Sequence, residues 1–291
     1  MGGGSETRPL LVIGGRSQIG CFLRRRLAET EQPVLAASRQ PGPDTTGWHW
    51  LHAELPDAMP GWPPLAGIIS AGPLGLLAEW LAGQPGLDCP LVVATSSMSA
   101  ISKRDSPVAA EQALASALTA AEQRLQAVCE EQGRAWTILR PTLIYGAGLD
   151  RSLSPIARRA ARWRVFPLPP GRGLRQPVHA DDVAAALLAC RHTESAWGQI
   201  IPCGGGERLP AAEMFARVWR SLPGAVLPMP VPAMAVKVSG WLMPARAGML
   251  ARLEADLVAD NHMLRTRLGL QPRGFHPGAD DWWPSAVADP G

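Results

Sequence analysis

The chain has 291 residues, of which 46% are hydrophobic and 18% charged, enough apolar material for a sizeable core, so wholesale disorder is excluded. Its net charge is only +3, and 26 of its 28 basic residues are arginines scattered along the chain. The pI near 8.8 is therefore no nucleic-acid signature, and no nucleic-acid partner is expected. Cys21, Cys89, Cys129, Cys190 and Cys203 are odd in number, far apart and without C-x-x-C spacing. They read as reduced, mostly buried thiols of a cytoplasmic protein, with neither a disulfide frame nor a zinc site. The opening Met-Gly-Gly-Gly-Ser has no basic region followed by an apolar segment, so no signal peptide is expected.

Leu10–Ile13 predicts a short buried strand, and a glycine-bearing turn follows at once. Residues 18–30 then carry Ile19, Phe22, Leu23 and Leu27 at helical spacing. Strand, tight turn and helix in that order put backbone N–H groups and a helix N-terminus where a pyrophosphate can sit. Gly14, Gly15, Arg16, Ser17, Gln18, Ile19 and Gly20 are thus the first cofactor-binding candidates. Gly14 and Gly20 fit the first and third positions of G-x-x-G-x-x-G, with Ser17 in the middle one. Taken alone, such a turn also serves as a strand-to-helix connection with no ligand.

Residues 33–39 form the second predicted strand, and its end is where the adenosine ribose of a dinucleotide lies. NAD sites place Asp or Glu there, whereas this strand ends in Ser38 and Arg39, with Arg16 in the turn beside it. Two guanidiniums and a serine suit a 2′-phosphate, so NADP(H) is preferred over NAD(H). The alternative is that both arginines are ordinary solvated residues.

A third strand is predicted over residues 48–51 and a fourth over 65–72. The fourth ends in Ser70, Ala71 and Gly72, small enough for a cofactor to approach the backbone. The fifth, over 90–97, brings Thr95, Ser96 and Ser97 to the carboxyl edge of the sheet, where ligands collect; the two serines can equally cap a turn. A helix follows with Ser106 as N-cap, Pro107 in its first turn and Gly133 past its end. A sixth strand over 135–140 runs into residues 141–146. This alternation predicts an α/β fold: a Rossmann-like, doubly wound parallel sheet with a smaller C-terminal lobe. Residues 1–150, completed by about 175–203, form the predicted nucleotide domain, and 151–174 with 204–291 the substrate lobe.

The glycine turn, the Ser-Ser strand end, Ala121-Glu122, Leu139-Arg-Pro-Thr-Leu-Ile-Tyr-Gly146, Gln176-Pro-Val-His-Ala-Asp-Asp-Val183 and Leu268-Gly-Leu-Gln-Pro-Arg273 occur in one order along the chain. In that order the chain resembles extended short-chain dehydrogenase/reductases, the NAD-dependent epimerase/dehydratase family, many of which act on nucleotide sugars. The resemblance implies that Pro141, Thr142 and Leu143 border the cofactor and that Tyr145 helps to wall the nicotinamide end. It also implies that the segment before Val178-His179 reaches substrate phosphates, which makes Arg172 and Arg175 candidates for an anionic, nucleotide-linked small molecule. A solvated basic face is the other reading of these arginines.

One departure matters more than the match. Family members doing redox chemistry carry Tyr-x-x-x-Lys on the helix ending in Ala-Glu, the Tyr as acid/base and the Lys lowering its pKa. Counting back from Ala121-Glu122 puts those positions at Leu114 and Leu118, and residues 107–132 hold neither Tyr nor Lys. The third hydroxyl usual after the serines is Met98. The chain thus resembles the atypical branch of the family. Ser97 and Lys103, the latter in the loop over the nicotinamide end, are the candidates for replacing the relay; Lys103 is otherwise a solvated loop charge.

Arg151 opens a basic helical stretch that also holds Arg158, Arg159, Arg162 and Arg164, and it joins the substrate-facing candidates with Met98, Tyr145 and His179. His179 itself reads as structural, with an acidic residue, Asp181 or Asp182, capping the helix that follows, and no second ligand lies at zinc spacing. Residues 200–206 are a strand and a glycine loop, and 210–222 a helix. Pro228, Pro230, Pro232 and Lys237 interrupt the apolar run from Ala225 to Met243, which excludes a membrane span. An amphipathic helix over 233–260 is expected to cover the cleft or to pack against a second subunit as a homodimer. Trp282 and Trp283 are expected to pack the tail onto the body. Two functions fit: an NADP(H)-dependent oxidoreductase or epimerase-like enzyme lacking the usual relay, or a non-catalytic dinucleotide-binding scaffold or redox sensor.

Overall fold

The computed structural model describes residues 7–232 and 253–284. Seven strands make the central sheet: β1 (Leu10–Ile13), β2 (Val34–Ser38), β3 (Trp48–His52), β4 (Gly67–Ser70), β5 (Leu91–Thr95), β6 (Ala135–Pro141) and, far along the chain, β11 (Gln199–Cys203). Their spatial order is β11-β6-β5-β4-β1-β2-β3, and every neighbouring pair is parallel. The order reverses at β1, between β2 and β4, which opens a crevice at the carboxyl edge of the sheet. β1, β4 and β5 are buried at every position, as a parallel sheet covered on both faces requires.

Two helical layers cover those faces. α1 (Gln18–Leu27) buries Ile19, Leu23 and Leu27 on one face, beside a later helix described below. On the other face lie α2 (Leu74–Ala82) and, after the short α3 (Ser99–Ser102), α4 (Ala109–Glu131). α2 has no counterpart among the predicted elements, because its residues are apolar almost all round and show neither a stripe nor a capping side chain. α4 starts later than predicted. The Ser106 hydroxyl accepts from the Val108 N–H and donates to Glu111, closing a turn before the helix, and the N-cap is Val108.

After β6 come β7 (Ile144–Tyr145), α5 (Leu153–Trp163), β8 (Val165–Leu168), β9 (Leu174–Arg175), β10 (Val178–His179) and α6 (Ala180–His192), the helix beside α1. β12 (Leu209–Pro210), α7 (Ala211–Arg220), β13 (Leu227–Pro230) and α8 (His262–Thr266) follow. The small strands pair as β7 with β10, β8 with β13 and β9 with β12. A third core gathers Tyr145, Phe166, Met214, Phe275 and Trp282. Most of the helix expected over 233–260 lies outside the described residues. Its last part is corrected: Leu257 bridges Arg175 in extended backbone, and the Ala259 N–H donates to the Gln176 side chain. Among the described residues no helix is long and apolar enough to cross a membrane.

Candidate cofactor and substrate site

The turn between β1 and α1 is built for close approach. Gly14 has φ +83°, and a Cβ there would stand 2.9 Å from the Ala71 carbonyl carbon. A Cβ on Gly20 would stand 2.3 Å from the Gly14 carbonyl oxygen, so only glycine lets α1 start this close to β1. Ser17, at the middle position of the glycine pattern, is the N-cap: its hydroxyl accepts from the Gly20 N–H at 3.1 Å. A cradle that any Cβ would fill, at a helix N-terminus, fits the pyrophosphate of a dinucleotide.

A cleft of about 600 Å³ lies at this turn and is lined by Gly14, Arg16, Ser17, Ser38, Arg39, Ala71 and Gly72 from the predicted set. Gly15 packs over Trp50, and Ile19 and Gly20 are buried in α1. Ser70 and Thr95 are buried beneath the cleft, the Ser70 hydroxyl accepting from the Gly72 N–H. The side-chain oxygens of Gln18 and Ser96 are buried with no partner among the described residues. Arg16 donates to the Gln40 carbonyl at 3.1 Å, and the Ser38 hydroxyl donates to the same carbonyl at 2.9 Å. Arg39 stands 3.7 Å from Glu54, a cleft-lining carboxylate absent from the predicted set. Nothing local in the sequence marks Glu54: β2 and β3 pair with Ser38 opposite His52, and that register carries the residues just past both strand ends to one place. Arg151 lines this cleft too, rather than the second cavity.

The second cavity, about 220 Å³, gathers Ser97, Met98, Lys103, Pro141, Thr142, Leu143 and Arg175. Ser99, Ser102, Ser152 and Gln176 add polar groups that sequence reasoning missed. Ser97 closes a turn, its hydroxyl accepting from the Ser99 N–H. Lys103 is ion-paired with Glu111 at 3.4 Å, both side chains largely buried, and Glu111 in turn accepts from Ser106 at 2.7 Å. Arg175 is buried and donates to the carbonyls of Leu174 and Ala255. The Thr142 hydroxyl donates to the Gln176 carbonyl.

Three predicted residues lie elsewhere. Arg172 is exposed and lines neither cavity. Tyr145 is 1% exposed and belongs to the third core, edge-on to His179 and Phe275, because β7 turns its ring away from the cleft. Burial pushes its phenol pKa well up. His179 rather than either aspartate is the N-cap of α6: its Nδ1 accepts from the Asp181 N–H, and its ring packs between Phe22 and Tyr145. Asp181 and Asp182 instead form ion pairs with Arg273, and Asp181 also with Arg26. At the two relay positions, Leu114 is 43% exposed and Leu118 partly buried. All five cysteines are free and buried. Among the described residues no group of His, Cys, Asp and Glu could hold a metal ion.

Residues 88–204 match the sequence model of the NAD dependent epimerase/dehydratase family, a segment running from β5 to the loop after β11. A UDP-glucose 4-epimerase of Vibrio cholerae is 25% identical over 155 residues, which are 52% of this chain and 46% of that protein. The match thus spans about half the length of that curated relative. MoeE5 in complex with UDP-glucuronic acid and NAD is similar in structure, with TM-score 0.70 at 17% identity over 94% of this chain and 97% of that one. The UDP-glucose 4-epimerase of Thermotoga maritima with UDP-glucose gives 0.68 at 14% identity over 94% and 96%. At such identities the structural likeness is one of fold. Over residues 88–204 the chain thus matches that family's sequence model, and over 94% of its length it is similar in fold to these solved structures.

Proposed function

We propose that this chain binds NADP(H) in preference to NAD(H) along the glycine-turn cleft. In this reading it acts on an anionic, nucleotide-linked small molecule in the second cavity, as an oxidoreductase or epimerase-like enzyme without the usual Tyr/Lys relay. The supporting observation is a pair of cavities at the carboxyl edge of one parallel sheet: a glycine-cradled cleft rimmed by arginines, and a hydroxyl-lined cavity holding Lys103 and Arg175. The similarity to proteins described with UDP-sugars and NAD supports the same reading.

A bound nicotinamide dinucleotide supplies hydride exchange at a substrate carbon. The N–H groups at the start of α1 hold its pyrophosphate. Arg16, Arg39 and Ser38 take a 2′-phosphate. Arg39 must leave Glu54 to do so, but an exposed ion pair is worth at most about 1 kcal/mol. A charge-assisted bond to phosphate contributes about 1.5–3 kcal/mol, so the phosphate wins. In the second cavity Arg175 holds the substrate's anionic group. Lys103, steadied by Glu111, holds the proton at Nζ and donates it, or a hydrogen bond, to a substrate oxygen, with the Ser97 hydroxyl as a second donor.

Leu114 and Leu118 at the relay positions, with Tyr145 locked in a core, favour a second reading as a non-catalytic dinucleotide-binding protein. Titrating tryptophan fluorescence with NADPH and NADH, followed by isotope exchange from labelled NADPH in the presence of UDP-sugars, separates the two. Tighter NADPH binding, with exchange that Lys103→Ala abolishes while binding persists, is the expected result. Binding without exchange on any carbonyl or sugar nucleotide favours the scaffold. If neither nucleotide binds, both readings fail.

A further inference from the structure

Arg151 was expected to face the substrate, yet it lines the glycine-turn cleft, in company with Gly14, Ser17 and Leu76. It comes from a separate element, the loop between β7 and α5. That loop is held by hydrogen bonds at both of its ends. The Gly148 N–H donates to the Asp281 carbonyl, and Arg158 donates to the carbonyls of Gly148 and Trp282 at 2.6 and 2.9 Å. The buried Asp150 carboxylate accepts from the N–H groups of Ser152 and Leu153 at 2.8 and 2.6 Å. Hydrogen bonds thus hold the backbone on both sides of Arg151, while its side chain is exposed to the cleft.

Among the described residues the Arg151 guanidinium makes no hydrogen bond and no ion pair. The other two cleft arginines are engaged, Arg16 with the Gln40 carbonyl and Arg39 with Glu54. An uncompensated guanidinium near the positive end of α1 raises the local potential, and an anion between the two lowers the energy of both. A guanidinium fork also matches paired phosphate oxygens.

We propose that Arg151 is a cofactor ligand that clamps the pyrophosphate of the bound dinucleotide against the glycine turn. This rests on the dinucleotide reading above. In the family-like fold the clamp ties cofactor binding to the β7–α5 loop, whose next residue, Ser152, lines the substrate cavity. One short segment thereby touches both sites.

The test is fluorescence titration of the full chain with NADH, NADPH and, separately, UDP, for wild type, Arg151→Ala, Arg151→Lys and Arg162→Ala. Arg162 is exposed on α5 and lines neither cavity, so it controls for net charge. Because Arg151 supports no fold contact, Arg151→Ala should keep the wild-type melting temperature. It should weaken NADH and NADPH by the same factor, about tenfold, with a shallower salt dependence. Arg151→Lys recovers part of the loss, and Arg162→Ala stays within about twofold of wild type. Unchanged dinucleotide affinity in Arg151→Ala overturns the clamp alone. A loss confined to NADPH overturns it in favour of a 2′-phosphate ligand, and a loss confined to UDP in favour of a substrate ligand. Wild type binding neither dinucleotide overturns the cofactor reading and the clamp together.

Discussion

In the seven-stranded sheet, whole strands disappear into apolar layers: β1, β4 and β5 have no exposed residue, and two cores sandwich them. The C-terminal elements are joined differently. Their strands pair in runs of two to four residues around the third core. Charge does much of the remaining joining: Arg217 pairs with Glu207 and Glu213, and Arg273 with Asp181 and Asp182. The contrast teaches where the site gets its precision. The glycine cradle sits on the apolar sheet, while the second cavity combines the ends of β5 and β6 with Ser152, Arg175, Gln176 and Leu257 from the later elements. A protein so divided should respond to cavities in its cores strongly and everywhere, but to acid chiefly through the C-terminal contacts.

The largest effect is expected at Trp282, which is fully buried in the third core and donates its indole N–H to Ser221 at 2.7 Å. Trp282→Ala should cost about 3–5 kcal/mol by urea denaturation. If the C-terminal elements melt on their own, near-UV dichroism will show a separate transition that far-UV dichroism of the sheet does not follow. A single shared transition would erase the division drawn above.

Next comes the tie between sheet and helix. Glu122, 1% exposed, pairs with Arg140 of β6, whose Nε donates at 2.8 Å. Glu122→Ala strands a largely buried guanidinium and should cost about 3 kcal/mol or somewhat more, since removing one member of a buried pair costs about 3–5. Chemical denaturation of Glu122→Ala beside the Glu122→Ala/Arg140→Met double variant checks this; the double variant should regain part of the loss.

The acid response is smaller. Burial works to raise the Asp181 pKa, but hydrogen bonds from Arg26 and Arg273 outweigh it and hold the carboxyl below its ordinary value. Hydrogen bonds from Arg217 do the same for Glu207. A carboxyl depressed by folding stabilises the native state above the unfolded pKa, about 3.9–4.3, and that contribution fades as pH falls through the folded value. Melting temperature should therefore be flat near neutrality and fall as pH drops below about 4. Arg273→Ala should lower the neutral plateau and make the acid fall shallower, and an equally steep fall would remove this network from the account.

The smallest effect belongs to the thiols. Burial pushes Cys129 and Cys190 up to about 12, and Cys21, Cys89 and Cys203 upward as well. Thiol reagents at neutral pH should leave all five unlabelled in the native state, with labelling appearing only as the chain unfolds. Fast labelling of one cysteine would mark a locally open part of the sheet layers.

What the sequence determined by itself was local or periodic. Continuous apolar runs mark the parallel strands, and the spacing of Gly14 and Gly20 marks the turn. The order of elements implies the crevice, because a strand buried on both faces and a helix start stabilised by glycines are properties of a few neighbouring residues. α2 escaped because its apolar residues run almost all round the helix, exposed Leu76 included, so the sequence shows no polar face to set off the buried one. The tertiary structure alone decided which side chains share a cavity. Glu54 meets Arg39 across a strand pair, Glu111 reaches back to Lys103, Arg151 lines the glycine-turn cleft rather than the substrate cavity, and Tyr145 turns into a core that Trp282 closes from the far end of the chain. Each is set by packing between separate elements of the fold, and propensity and periodicity carry no record of such contacts.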